Sequence, residues 1–125
     1  MKKIVQTDNA PKPIGAYSQA VRAGKFLFVS GQLGIDPKKG KIISNSMITQ
    51  TNRALENIKA ILEAEAYSLN DVVQSSVYIS SVELFSDFNG EYRKYFHVEP
   101  SARVTVGAML GLGALVEISV IAYKE

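Results

Sequence analysis

Apolar positions along the chain fall into segments with two different periods. From Met47 onward, Met47, Ile48, Ala54, Leu55, Ile58, Ile61 and Leu62 recur at helical spacing, which predicts an amphipathic helix. Ser44, Asn45 and Ser46 stand just before it as candidate caps. Between Val72 and Ser80 the period drops to two. Val73, Ser75, Val77 and Ile79 share one face and Gln74, Ser76 and Tyr78 the other, which predicts a strand. A second helical pattern follows in Leu84, Phe85, Phe88, Tyr92, Tyr95 and Phe96, with Ser80 and Glu83 spaced as a capping box at its start. An aromatic stripe of this kind is expected in a core rather than on a ligand-stacking surface.

The flanking segments read as strands and turns. Tyr17–Arg22, the Ala23-Gly24 turn and Lys25–Gly31 together predict a hairpin, and Asp36-Pro37-Lys38-Lys39-Gly40 a second turn. Arg103–Gly107 and Leu115–Tyr123 close the chain as two further strands. The loop between them holds two glycines but has neither the spacing nor the helix of a dinucleotide fingerprint. The order β-β-α-β-α-β-β, without repeat or linker, predicts one two-layer α+β domain over residues 1–125.

The final strand sharpens this picture. Val116, Ile118, Val120 and Ala122 form a uniformly apolar row suited to packing under the helices. Leu115, Glu117, Ser119, Ile121 and Tyr123 face the other way, where two helices cannot also reach. A half-apolar, uncovered sheet face predicts a homo-oligomer that buries it, the competing reading being an exposed face with scattered apolar residues. If the last two strands pair as a hairpin, Glu117 lies near Thr105 and diagonal to Arg103, all on that face. Two readings of such a cluster stay open: an idle ion pair at a subunit interface, or an anion-binding cleft with an acid/base beside it.

Composition removes several classes of chemistry. The 125 residues include no cysteine and one histidine, His97, which excludes disulfides, thiol nucleophiles and any metal site needing two imidazoles. The net charge of +2, with Lys38, Lys39 and Lys41 as the only tight basic cluster, argues against nucleic acid as the main partner. No apolar run is long enough to span a bilayer, and the basic N-terminus lacks the apolar stretch of a secretory signal. A cytoplasmic location is expected.

Several segments, taken in order, resemble the Rid (YjgF-like) family of reactive-intermediate deaminases. They are Pro13–Ala20, Phe28–Gly34, Asn52–Ala60, Asn89, Ala102-Arg103-Val104-Thr105-Val106 and Val116-Glu117-Ile118. The resemblance implies a chorismate-mutase-like fold, with a mixed sheet and two helices on one face. It also implies a homotrimer with ligand clefts between subunits.

The implied activity is hydrolysis of enamines and imines such as 2-aminoacrylate, 2-iminopropanoate and 2-iminobutanoate to keto acids and ammonia, without metal or organic cofactor. Arg103 would hold the substrate carboxylate, Glu117 would serve the hydrolytic water, and Tyr17 would line the cleft as the third catalytic candidate. Ser30, Gly31, Asn89 and Thr105 would bind substrate, Thr105 standing where many relatives have cysteine. The chain departs from the family pattern at Ser101, where proline or alanine is commoner, and at Ala66, where a glycine would end the first helix. A loop between Arg103 and Glu117 one residue shorter than usual is a third departure. Family links to RNA cleavage and translation inhibition make an RNA-acting protein the main alternative. A non-catalytic trimer that binds a carboxylate metabolite is another.

Overall fold

The computed structural model describes all 125 residues. Eight strands and two α-helices follow in the order β1 (Lys2–Val5), β2 (Ala20–Ala23), β3 (Phe26–Leu33), β4 (Ile35–Asp36), β5 (Lys41–Ile42), α1 (Met47–Ala64), β6 (Val72–Ile79), α2 (Phe85–Arg93), β7 (Ala102–Gly107) and β8 (Val116–Tyr123). Six strands form one mixed sheet in the order β1-β2-β3-β8-β6-β7, while β4 and β5 make a separate small hairpin. Both helices lie on one face of the large sheet. The result is a two-layer α+β fold.

Local signals account for most element ends. The Ser46 hydroxyl accepts a hydrogen bond from the Thr49 amide at 3.3 Å and caps α1. At the other end, the Tyr67 amide donates to Leu62 O and the Ala66 amide to Glu63 O, the two bonds of a Schellman motif. Ala66 sits at φ 63° there, left-handed backbone that favours glycine. In the Asp36–Gly40 turn, the Asp36 carboxylate accepts from the Lys38 and Lys39 amides, and these two bonds hold its pKa below the ordinary value.

Three expectations are corrected. A register shift after Val72 places Val72 in the core and turns Val73 outward, so only Ser75, Val77 and Ile79 keep the buried face expected of them. No capping box joins Ser80 to Glu83. Instead the Ser81 hydroxyl accepts from the Glu83 amide and starts a 3₁₀ turn over Val82–Leu84 that leads into α2. The third correction matters most for function: β7 and β8 do not pair. β7 runs parallel to β6, reached by a crossover through α2, and β8 inserts antiparallel between β3 and β6. The physical reason lies in the residues. Val116, Ile118, Val120 and Ala122 are all at most 2% exposed, and a strand with a fully apolar row gains most from a central place. β7, carrying Arg103 and Thr105, takes the edge.

Directly paired residues point to the same side of a sheet. Arg103 pairs with Ser75, which pairs with the buried Val120, so Arg103 and Thr105 face the helices. Glu117 pairs with Tyr78 and lies on the opposite, uncovered face. That face is partly apolar, as expected, with Phe26, Phe28, Val104 and Val106 exposed.

Candidate functional site

Arg103 stands at the helix-covered side of the β7 edge, where α2 supplies its surroundings. The Asn89 side-chain oxygen accepts from its Nη1 at 2.9 Å. Phe85, Phe88 and Tyr92 present ring centroids 5.6, 5.5 and 4.9 Å from the guanidinium carbon. A guanidinium over aromatic faces is held by charge–quadrupole attraction and dispersion. Asn89 fixes one further N–H, and the rest of the planar fork stays available for a carboxylate. The aromatic stripe therefore does two jobs, filling the core through Phe88, Tyr92 and Phe96 and positioning Arg103. The sequence signal for the second job was Asn89 lying on the same helix as the stripe.

Thr105 lies two residues on, on the same face. Its hydroxyl oxygen is buried and has no hydrogen-bond partner within the chain. Ser101 lies just before β7, and its hydroxyl bonds that of Ser75 at 3.0 Å, while the Tyr92 hydroxyl donates to Ser75 at 2.9 Å. The serine that departs from the family pattern thus ties the start of β7 to β6 and α2.

A second cluster forms on the other side of the sheet. β3 is irregular between Val29 and Gln32, which puts Ser30 and Gly31 in a bulge beside β8. The Glu117 side chain fills the space over Gly31: a Cβ at that position would lie 2.9 Å from the Glu117 carboxyl carbon. A side chain at position 31 would displace the Glu117 carboxylate from this place. The Ser30 hydroxyl donates to Ser18 O at 2.6 Å, and the Ser30 amide to Gln19 O at 2.9 Å. Both bonds anchor the segment that carries Tyr17, whose hydroxyl accepts from the Ile14 amide at 3.0 Å.

The buried Gln19, not singled out in the sequence, locks this segment. Its amide group accepts from the Thr7 amide and donates to Thr7 O, Ala10 O and Pro11 O. Gln50 and Asn57 act similarly, Gln50 bonding Ser44 O and the Leu115 amide and Asn57 bonding Leu33 O and Ile35 O.

The site residues therefore divide into two groups. Arg103, Asn89 and Thr105 gather on the helix side of the β7 edge; Glu117 and Gly31 meet on the uncovered face, with Ser30 in the same bulge and Tyr17 on the segment it anchors. The expected convergence of Arg103, Thr105 and Glu117 on one face within a chain is wrong, because β6 separates β7 from β8 and the register sets the two strands' functional residues on opposite sides.

A family model described as endoribonuclease L-PSP matches residues 7–124. The chain belongs to the Rid (YjgF-like, RutC) family. A RutC family protein of Pyrococcus horikoshii is 52% identical over 126 residues, covering 100% of both chains. A candidate endoribonuclease of Thermotoga maritima superposes with a TM-score of 0.97 at 46% identity, covering 100% of this chain and 99% of that one. The mouse 2-iminobutanoate/2-iminopropanoate deaminase is 35% identical over 99% of this chain and 93% of its own. The Rid fold thus accounts for the mixed sheet and both helices. No helix of this Rid chain is long and apolar enough to cross a membrane.

Proposed function

We propose that this Rid protein is an imine deaminase whose catalytic centre is assembled from two copies of the chain, as in a homotrimer. One observation carries the reading. Each chain sets Arg103 with Asn89, the proposed carboxylate-gripping half, and Glu117 over Gly31, the proposed acid/base half, on opposite faces of its sheet. Neither half completes the other within the chain, so a neighbour must bring them together. The exposed Phe26, Phe28, Val104 and Val106 favour such contact, and the mouse relative's activity supports the substrate class.

In the proposed reaction, Arg103 of one copy grips the substrate carboxylate with paired hydrogen bonds. This fixes the imine carbon against one water, which replaces a bimolecular encounter by positioning. Glu117 of the neighbour accepts a proton as the water oxygen bonds to that carbon, and returns one to nitrogen as the C–N bond breaks. Water and imine are consumed; keto acid and ammonia leave. The imine carbon is already electrophilic, so the scheme calls for no cofactor. Tyr17, Ser30 and Thr105 would complete the walls.

Freshly generated 2-iminobutanoate and 2-iminopropanoate test the reading through ammonia release above the uncatalysed background. Arg103→Ala and Glu117→Gln should each lower kcat/KM by about a hundredfold or more. Refolding the two variants together should restore activity, because about a quarter of randomly mixed interfaces pair intact halves. Failure of the mixture, with both variants folded and assembled, would overturn the shared site. An RNA-acting protein would instead cleave RNA with both substitutions in place.

A further inference from the structure

The pocket beside Arg103 holds a second guanidinium that the proposed reaction does not use. Seven residues line a volume of about 370 Å³, among them Arg93, Arg103, Asn89 and Ser101, and none of the seven is acidic. The chain's three ion pairs join Lys3 and Arg22 to Glu65 and Lys94 to Glu91, so Arg93 belongs to none of them. Arg93 makes no side-chain hydrogen bond either, and it is exposed at the C-terminal end of α2. A cation there complements the helix dipole, but that role does not require it to line a pocket already holding Arg103. Two like charges in one concavity disfavour each other until an anion lies between or across them.

From this pair we infer that the pocket recognises a substrate with two acidic groups. Arg103 takes the carboxylate next to the imine and Arg93 a second carboxylate on the side chain, as in the imine of a four-carbon diacid. The assignment rests on the deaminase reading for its chemistry. Ser101 supports it, since its hydroxyl, held by Ser75, which also accepts from Tyr92, gives this part of the pocket a polar group that proline or alanine could not provide. The reacting bonds are unchanged, and only the side-chain carboxylate is newly held.

The experiment compares kcat/KM for the imine generated from aspartate with that from 2-aminobutanoate, in the wild type, Arg93→Ala and Arg93→Lys. The acidic-to-neutral ratio should fall about three- to tenfold in Arg93→Ala and recover partly in Arg93→Lys, the effect expected of one charged contact at an exposed rim. An unchanged ratio with both imines turned over ends the subsite and leaves the deaminase standing. If neither imine is turned over, the deaminase reading fails and calorimetry with succinate and butyrate decides the subsite alone. Loss of a wild-type preference for succinate in Arg93→Ala supports it, and equal binding of the two acids overturns it. Weakened binding of a short oligoribonucleotide in Arg93→Ala, with the succinate preference intact, also overturns it.

Discussion

Arg103 and Glu117 are the two charged ends of one proposed catalyst, yet the chain treats them differently. Arg103 is finished within its own chain, stacked against three rings and bonded to Asn89. Glu117 has no hydrogen bond or ion pair within the chain; its setting is a space kept clear by Gly31 and the neighbouring Tyr78 of β6. A group that must hold a rigid carboxylate gains from being fixed beforehand. A group that must move protons gains from an approach left open to water and to a partner. On the proposed reading, the comparison teaches that preorganisation is invested in the binding half, while the acid/base half would depend on what docks against it.

The largest effect that probes this difference is expected at Gly31. Gly31→Ala places a methyl where the Glu117 side chain now lies, and the flexible carboxylate must swing away. Stability should change by no more than about 1 kcal/mol, because only a side-chain end yields. Imine hydrolysis should fall about a hundredfold, since a displacement near 1 Å of a reacting group costs that much. Denaturant titration alongside kinetics would show the two effects separating. Equal activity in Gly31→Ala would mean that Glu117 is not held for catalysis.

On the other side of the comparison, Asn89→Ala removes one charge-assisted hydrogen bond and leaves the aromatic stack. A loss of about tenfold in kcat/KM is expected, carried mainly by KM because the Arg103 grip acts on bound substrate throughout. Were the loss as large as that of Arg103→Ala, the rings would contribute no positioning, and the claim of a prebuilt half would fall.

The contrast also explains what could be read in the sequence. Periodicity located both long helices and the apolar row of β8, because burial on one face leaves a repeating mark on the chain. It could not locate the partner of β7. Pairing order depends on which strand gains most from a central place, a property of the whole sheet that neighbouring loops do not encode. A hairpin across residues 108–114 is the simplest connection, but β6 lies between the two strands, so Arg103 and Glu117 do not share a face. Motif resemblance named Arg103, Asn89, Gly31 and Glu117 but carried no geometry to divide them. Gln19, Gln50 and Asn57 leave no mark in the sequence, since a buried amide that clamps backbone looks there like any surface amide. Val73 was misplaced by a bulge, which shifts the period without changing composition.

The smallest effect separates local design from general stability. Ala66 ends α1 at φ 63°, far from both halves, in a conformation that costs an L-residue about 1–2 kcal/mol and costs glycine almost nothing. Part of that gain is offset because glycine loses more backbone entropy on folding. Ala66→Gly should therefore raise stability by about 0.5–1 kcal/mol, readable as a shift of the denaturation midpoint at constant slope. The Tyr67 and Ala66 amide bonds to Leu62 and Glu63 need no change, since the substitution only relieves strain at a backbone already in place. Deamination rates should stay within error of the wild type at equal folded concentration. If they moved with stability, the behaviour of Gly31→Ala and Asn89→Ala would need reinterpretation as general loosening, and the two halves would no longer be distinguishable by kinetics.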